Sequence, residues 1–185
     1  MPLQLSTALK EWSLVCDALA DGRQVVLLRK GGIYESAGEF EVEHRRFVLF
    51  PTVVHQKASH LKESERAKLS PQSAEPAIIT LRAAGEVTDI IELRDRAQMS
   101  AIDDAHIWAQ PLIDMRFDYR PENPLYLLIV RAWRLAEAVR IPNTLAYAGC
   151  KSWVPLDQPV STAGAVPVLD DTEFQSRRAA ILRQL

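Results

Sequence analysis

The chain has 185 residues, 48% of them hydrophobic, and 22 Lys and Arg against 24 Asp and Glu give a formal net charge of −2. That length supports one good core, and the near-balanced charge excludes broad electrostatic binding to nucleic acid or acidic membranes while leaving room for a local basic patch. Cys16 and Cys150 form no CxxC pair, no basic leader precedes an apolar segment, and no apolar run reaches membrane-spanning length, so a cytoplasmic chain without a membrane segment is expected.

In chain order, Ser6 to Ala20 predicts an amphipathic helix, with Trp12, Val15, Cys16 and Leu19 at i, i+3, i+4, i+7, Ser6 or Thr7 as its cap and Asp21-Gly22 as its end. Arg23 to Arg29 reads as a short strand buried on both faces. Gly31-Gly32 permits a reversal within a wide loop, Lys30 to Gly38. The return run Glu39 to Glu43 alternates with period two, and apolar residues resume at Phe47 to Phe50 before Pro51, so a long hairpin is expected. Thr52 to Leu69 has helical composition with a thin apolar stripe, a surface helix. Ser70 to Pro76 is a Pro/Ser linker and the best internal boundary within a single domain, 1–185.

A second β pair is expected from Ala77 to Leu81 and Glu86 to Leu93, turning at Ala84-Gly85. Ser100 with Asp103 resembles a capping box for a helix to about Gln110, which Pro111 breaks or kinks. Leu125 to Leu135 is the strongest strand, and Asn143 to Thr162 reads as irregular. Asp170 caps a last helix with Phe174, Ile181, Leu182 and Leu185 on one side. The fold class is α+β: two antiparallel hairpin units with flanking helices around a mixed or barrel-like sheet.

Chemistry concentrates between Gly22 and Lys62. Arg29, Lys30, His44, Arg45, Arg46, His55, Lys57, His60 and Lys62 form a cationic and imidazole cluster suited to phosphate, because guanidinium binds phosphate bidentately and Lys adds point charge. Trp108, Tyr34 or Trp153 would supply base stacking. Glu35, Glu39, Glu41, Glu43, Glu63 and Glu65 interleave with these cations, which is also how a solvated strand end and helix face look. His55-Gln56 reads as a cap for backbone groups after the strand.

His55 and His60 stand five apart, there is no HExxH, and no zinc site or cofactor is expected. A nuclease-like carboxylate site could draw on Glu11, Glu39, Glu41, Asp89 and Glu92, although alternating glutamates are more simply the wet face of an edge strand. Cys150 beside Lys151 lacks a neighbouring base and reads as a buried, inert thiol anchored by Trp153.

Several phrases resemble the uncharacterised bacterial family catalogued as domain of unknown function 1802. They are Arg29 to Ile33, His44 through Phe50-Pro51-Thr52 to His55-Gln56, His106-Ile107-Trp108, Arg116-Phe117 through Leu125-Tyr126, Arg131 to Leu135, and Gly149 to Trp153. The resemblance spans roughly Ala8 to Leu156 and implies no assigned activity. A fainter one, to the PUA-like group that includes ASCH and EVE domains, rests on Gly22, Gln24, Leu27 and Arg29. These stand where ASCH domains carry Gly-x-Lys-x-x-Glu-x-Arg, so Gly22 and Arg29 fit and the other two positions differ. LYLLIVRAWRLAEAVRIP is similar to the strand that closes those barrels, which implies a PUA-like sheet.

The functional expectation is a non-catalytic nucleic-acid or modified-nucleotide binding module. It would meet RNA or DNA through a local basic patch of Arg29, Lys30, His44, Arg45, Arg46, His55 and Gln56, with Trp108 stacking. The alternatives are a metal-dependent nuclease and a protein-interaction domain without chemistry.

Overall fold

The computed structural model describes residues 3–30, 44–69 and 74–185. The Gly31-Gly32 turn, Tyr34, and the run Glu39 to Glu43 lie outside these residues, as does part of the 70–76 linker. Among the described residues no helix is long and apolar enough to cross a membrane.

The expected first helix is a strand followed by a helix: β1 (Gln4–Trp12), then α1 (Ser13–Ala20). β1 lies between two other strands and is covered on both faces, so it shows no clean alternation. A bulge between Leu5 and Thr7 puts Leu5 and Ala8 into one apolar cluster and Leu9 into the other. The result imitates helical spacing. Only Val15, Cys16 and Leu19, with Leu14 and Ala18, form a helical buried face.

β2 (Val26–Lys30) is buried throughout, as its unbroken apolar run predicts. β3 (Arg46–Thr52) does not return beside it. The segment 31–45 is far longer than a tight hairpin loop, and β3 instead pairs parallel with β1 and antiparallel with β4 (Ile78–Leu93). After β3 the expected helix is reduced to a 3-10 turn, Ala58–His60, and one short turn, α2 (Glu63–Arg66), with Leu61 bridging in extended form to Trp108.

β4 replaces the second expected hairpin by one continuous strand. Gly85 makes no turn there; a Cβ at this position would meet Phe47 Cε2 and Val130 Cγ1 at 2.9 Å, so the glycine admits close packing. α3 (Arg96–Ala101) begins before the expected Ser100 cap, because Asp95 and Gln98 form the capping box instead. Pro111 opens α4 (Gln110–Asp118) rather than breaking a helix, since the first turn needs no proline N–H.

β5 (Leu125–Pro142) extends past its expected end and pairs with β4 along most of its length. β6 (Trp153–Ser161) occupies the stretch expected to be irregular. It ends the sheet, where Pro155 and Pro159 are tolerated. β7 (Val166–Pro167) adds to β5, and α5 (Asp171–Gln184) starts where expected, with the Asp170 carboxylate accepting from the Glu173 N–H at 2.7 Å.

The seven described strands make one mixed sheet, ordered β2-β5-β4-β3-β1-β6 with β7 on β5, in an α+β fold. In that order β2 and β1 are four strand spacings apart, roughly 19 Å if the sheet were flat. Yet Arg29 Nη2 on β2 lies 2.8 Å from the Lys10 carbonyl on β1. The sheet is therefore open but curled enough for the long Arg29 side chain to reach from β2 to β1, in keeping with the mixed-sheet expectation. The larger apolar cluster joins α1, β2, α4 and α5 to one side of the sheet; the smaller gathers Val48, Phe50, Leu81, Tyr147 and Val154 on the other.

Candidate ligand-binding face

Folding divides the cationic cluster. Arg29 turns inward, where its Nη2 pairs with Glu11 Oε2 at 3.0 Å and donates to the Lys10 carbonyl. Glu11 also accepts from the Trp12 N–H at 2.7 Å. The side chains of Arg29 and Glu11 are only 10% and 7% exposed, so this is a buried pair whose geometry matters more than its net energy. Lys30 donates to the Arg116 and Phe117 carbonyls at 3.1 Å each and caps the end of α4; burial pushes its pKa down, and Glu122 and Asp118 hold it up.

Gln56 serves α1. Its Oε1 accepts from the Leu14 N–H at 3.3 Å, and its Nε2 donates to Ser13 Oγ and to the Thr52 and Val53 carbonyls. The expected capping role is thus what its contacts perform. His55 is exposed at φ 71°, past the end of β3 opposite to Arg46, so the two do not share one site. Trp108 is 3% exposed and packs against His106 in the core, which corrects its expected stacking role: its ring has no face open to a base. Among the ASCH-like positions, Gln24 bridges the Val26 carbonyl and the Ile107 N–H, and Leu27 is core.

His44, Arg45 and Arg46 stay exposed at the start of β3. Arg46 pairs with Glu86 at 2.9 Å, and Arg45 Nη1 lies 3.5 Å from the Val87 carbonyl. Beside them stands Trp153, partly exposed, with ring centroids 5.7 Å from His44 and 5.4 Å from Phe47, both edge-on. Trp153 is in register with Leu9 on β1, and Glu11 lies two residues further along the same strand, hence on the same face. The His44–Trp153 corner and the Glu11–Arg29 pair therefore share one side of the sheet.

A further group adjoins that pair. Arg116, in the last turn of α4, has its Nε buried with no hydrogen-bond partner among the described residues, although the residue keeps some surface in water. Burial pushes its pKa down, Glu11 holds it up, and the nearby Arg29 charge opposes it. His60 stacks on Trp12 with centroids 5.8 Å apart and planes 5° apart; its buried Nδ1 also lacks a partner among the described residues. Burial lowers the His60 pKa, as do Lys57 and Arg116. Sequence reasoning gave Arg116 no role beyond its place in the family resemblance, because the expected helix ended near Gln110 and α4 was not foreseen.

Asp89, one carboxylate considered for a nuclease, is held by Arg178 through contacts of 2.6 and 2.5 Å, and Arg178 and then burial act oppositely on its lowered pKa. Glu39 and Glu41 lie outside the described residues. No group of three or more His, Cys, Asp or Glu able to hold a metal occurs among the described residues. Cys150 is exposed, not buried as expected: it sits in the loop before β6 while Trp153 turns toward Phe47. Cys16 is the buried thiol, its pKa raised by burial.

No curated protein matches the chain. Among solved structures it is similar to the crystal structure of a ZmASCH mutant protein from Zymomonas mobilis, at 11% identity and a TM-score of 0.43, over 97% of this chain and 98% of that one. That likeness is too distant to carry a function. A family model described as "Domain of unknown function (DUF1802)" matches residues 8–180, nearly the whole chain, and the chain belongs to that family.

Proposed function

We propose that this DUF1802 chain is a non-catalytic module that binds nucleic acid or a modified nucleotide on the His44–Trp153 face. The observation that carries the reading is a partly exposed tryptophan set against His44, beside the exposed Arg45 and Arg46. An aromatic ring and neighbouring guanidinium groups are what unpaired bases and their phosphates require. Trp153 takes the stacking role, and Arg45 and Arg46 the phosphates. Arg29 lies on the same side of the sheet as Trp153, while Lys30 and Gln56 hold the ends of α4 and α1.

The test is fluorescence-polarisation binding of labelled single- and double-stranded RNA and DNA across a salt series, with Arg45→Ala/Arg46→Ala as the control. Single-strand binding should weaken with salt, and the double variant should lower the log–log slope by about 1.4, because it removes two phosphate-neutralising cations. The same samples with Mn²⁺ on a denaturing gel should show intact oligonucleotide. Cleavage would favour the nuclease, and no binding at low salt would overturn the reading for unmodified nucleic acid.

A further inference from the structure

Arg116 presents an unusual combination. Its Nε is buried without a partner among the described residues, it shares its surroundings with the Arg29 guanidinium, and part of the residue still reaches water. A guanidinium in such a place is costly unless an acceptor meets it. The described acceptors nearby are already engaged: Glu11 with Arg29 and the Trp12 N–H, and the end carbonyls of α4 with Lys30. His60 faces the same cluster with its Nδ1 also unmatched, held against the Trp12 ring. His60 thus lies against Trp12 at the end of β1, close enough to Arg116 on α4 to feel its charge.

We infer that Arg116, with Arg29 and Lys30 behind it and His60 beside it, forms a seat for one phosphate group. The chemistry selects this class. A guanidinium fork matches a tetrahedral oxyanion bidentately, and phosphate has oxygens enough to take the His60 nitrogen as well. Glu11 is engaged by Arg29, and Glu122 and Asp118 act on Lys30, which leaves the Arg116 guanidinium without a hydrogen-bonded acceptor at its Nε among the described residues. The inference rests on the proposed binding function only for the identity of the molecule that carries the phosphate. The seat itself stands on the cluster's geometry.

The test follows the Arg116 Nε–H resonance of the full chain by NMR. The probes are inorganic phosphate, a nucleoside 5′-monophosphate, the nucleoside alone and acetate. Phosphate and the monophosphate should shift that resonance saturably, and the nucleoside should not. Acetate should act at least tenfold more weakly. Arg116→Met should abolish the phosphate response while raising the melting temperature of the ligand-free chain, because it removes an unmatched cation. Arg116→Lys, which retains charge without the fork, should bind phosphate with reduced affinity.

An Arg116 resonance indifferent to millimolar phosphate would overturn the seat, as would undiminished phosphate binding by Arg116→Met. Oligonucleotide binding with an unmoved Arg116 signal would remove the seat and leave the proposed function standing. Phosphate binding without any oligonucleotide binding would do the reverse.

Discussion

His106 is 3% exposed, with both ring nitrogens unmatched among the described residues. Burial, and then the Lys62 charge, push its pKa from 6.5 down to about 4. Asp103 and the Met99 and Trp108 backbones oppose the shift, although those backbones do not reach hydrogen-bond geometry with the ring. The folded chain thus refuses a proton that the unfolded chain accepts. Stability should be full above pH 6.5, fall as pH drops from 6.5 toward 4, and lose roughly 3 kcal/mol from this residue across that window. Urea midpoints at pH 7, 5.5 and 4.5 should show the decline, and His106→Leu should flatten it except for a smaller part of the same sign from His60, whose pKa is also lowered. An unchanged pH slope in that variant would contradict the assignment. At this scale the sequence was legible for residue type and not for direction. Arg29 and Arg46 look alike as strand-end arginines, yet one meets Glu11 across the curl and the other meets Glu86 at the surface. Only tertiary pairing separates them.

Elements were legible where one face of a pattern meets one core. The Asp170 cap and α5 follow from local capping chemistry, and β2 from its unbroken apolar run. β1 was not legible, because a bulged strand covered on both sides imitates helical spacing. Gly85 misled for the opposite reason: glycine signals a turn as readily as a close approach. Its actual role gives a sharp prediction. Gly85→Ala would force Phe47 and Val130 apart from positions 2.9 Å from the new Cβ, at a cost of roughly 1–3 kcal/mol by overpacking. A denaturant midpoint equal to that of the native chain would show that the β3–β4–β5 contact has slack there.

Across the whole molecule, the charge balance concealed how the cations are used. Arg178 ties α5 to Asp89 on β4, Arg177 reaches the Gly22 carbonyl, Arg134 the Ala20 carbonyl, and Lys10 the Tyr147 and Gly149 carbonyls. Much of the positive charge therefore joins elements within the fold. The curl that lets Arg29 on β2 reach β1 has no local sequence signal, since it depends on the strand order β2-β5-β4-β3-β1. The same curl sets Arg29 and Arg116 beside Glu11, on the side of the sheet that bears Trp153.

The most direct measurement of where a ligand lies is photocrosslinking of a 4-thiouridine-containing single-stranded RNA to the full chain, with the modified peptides mapped by mass spectrometry. Crosslinks should concentrate in peptides containing His44 to Arg46 and Lys151 to Trp153, and Trp153→Leu should deplete them. Crosslinks confined to other surfaces, such as the outer half of the β4–β5 ribbon, or none under low-salt conditions, would contradict a binding face at Trp153.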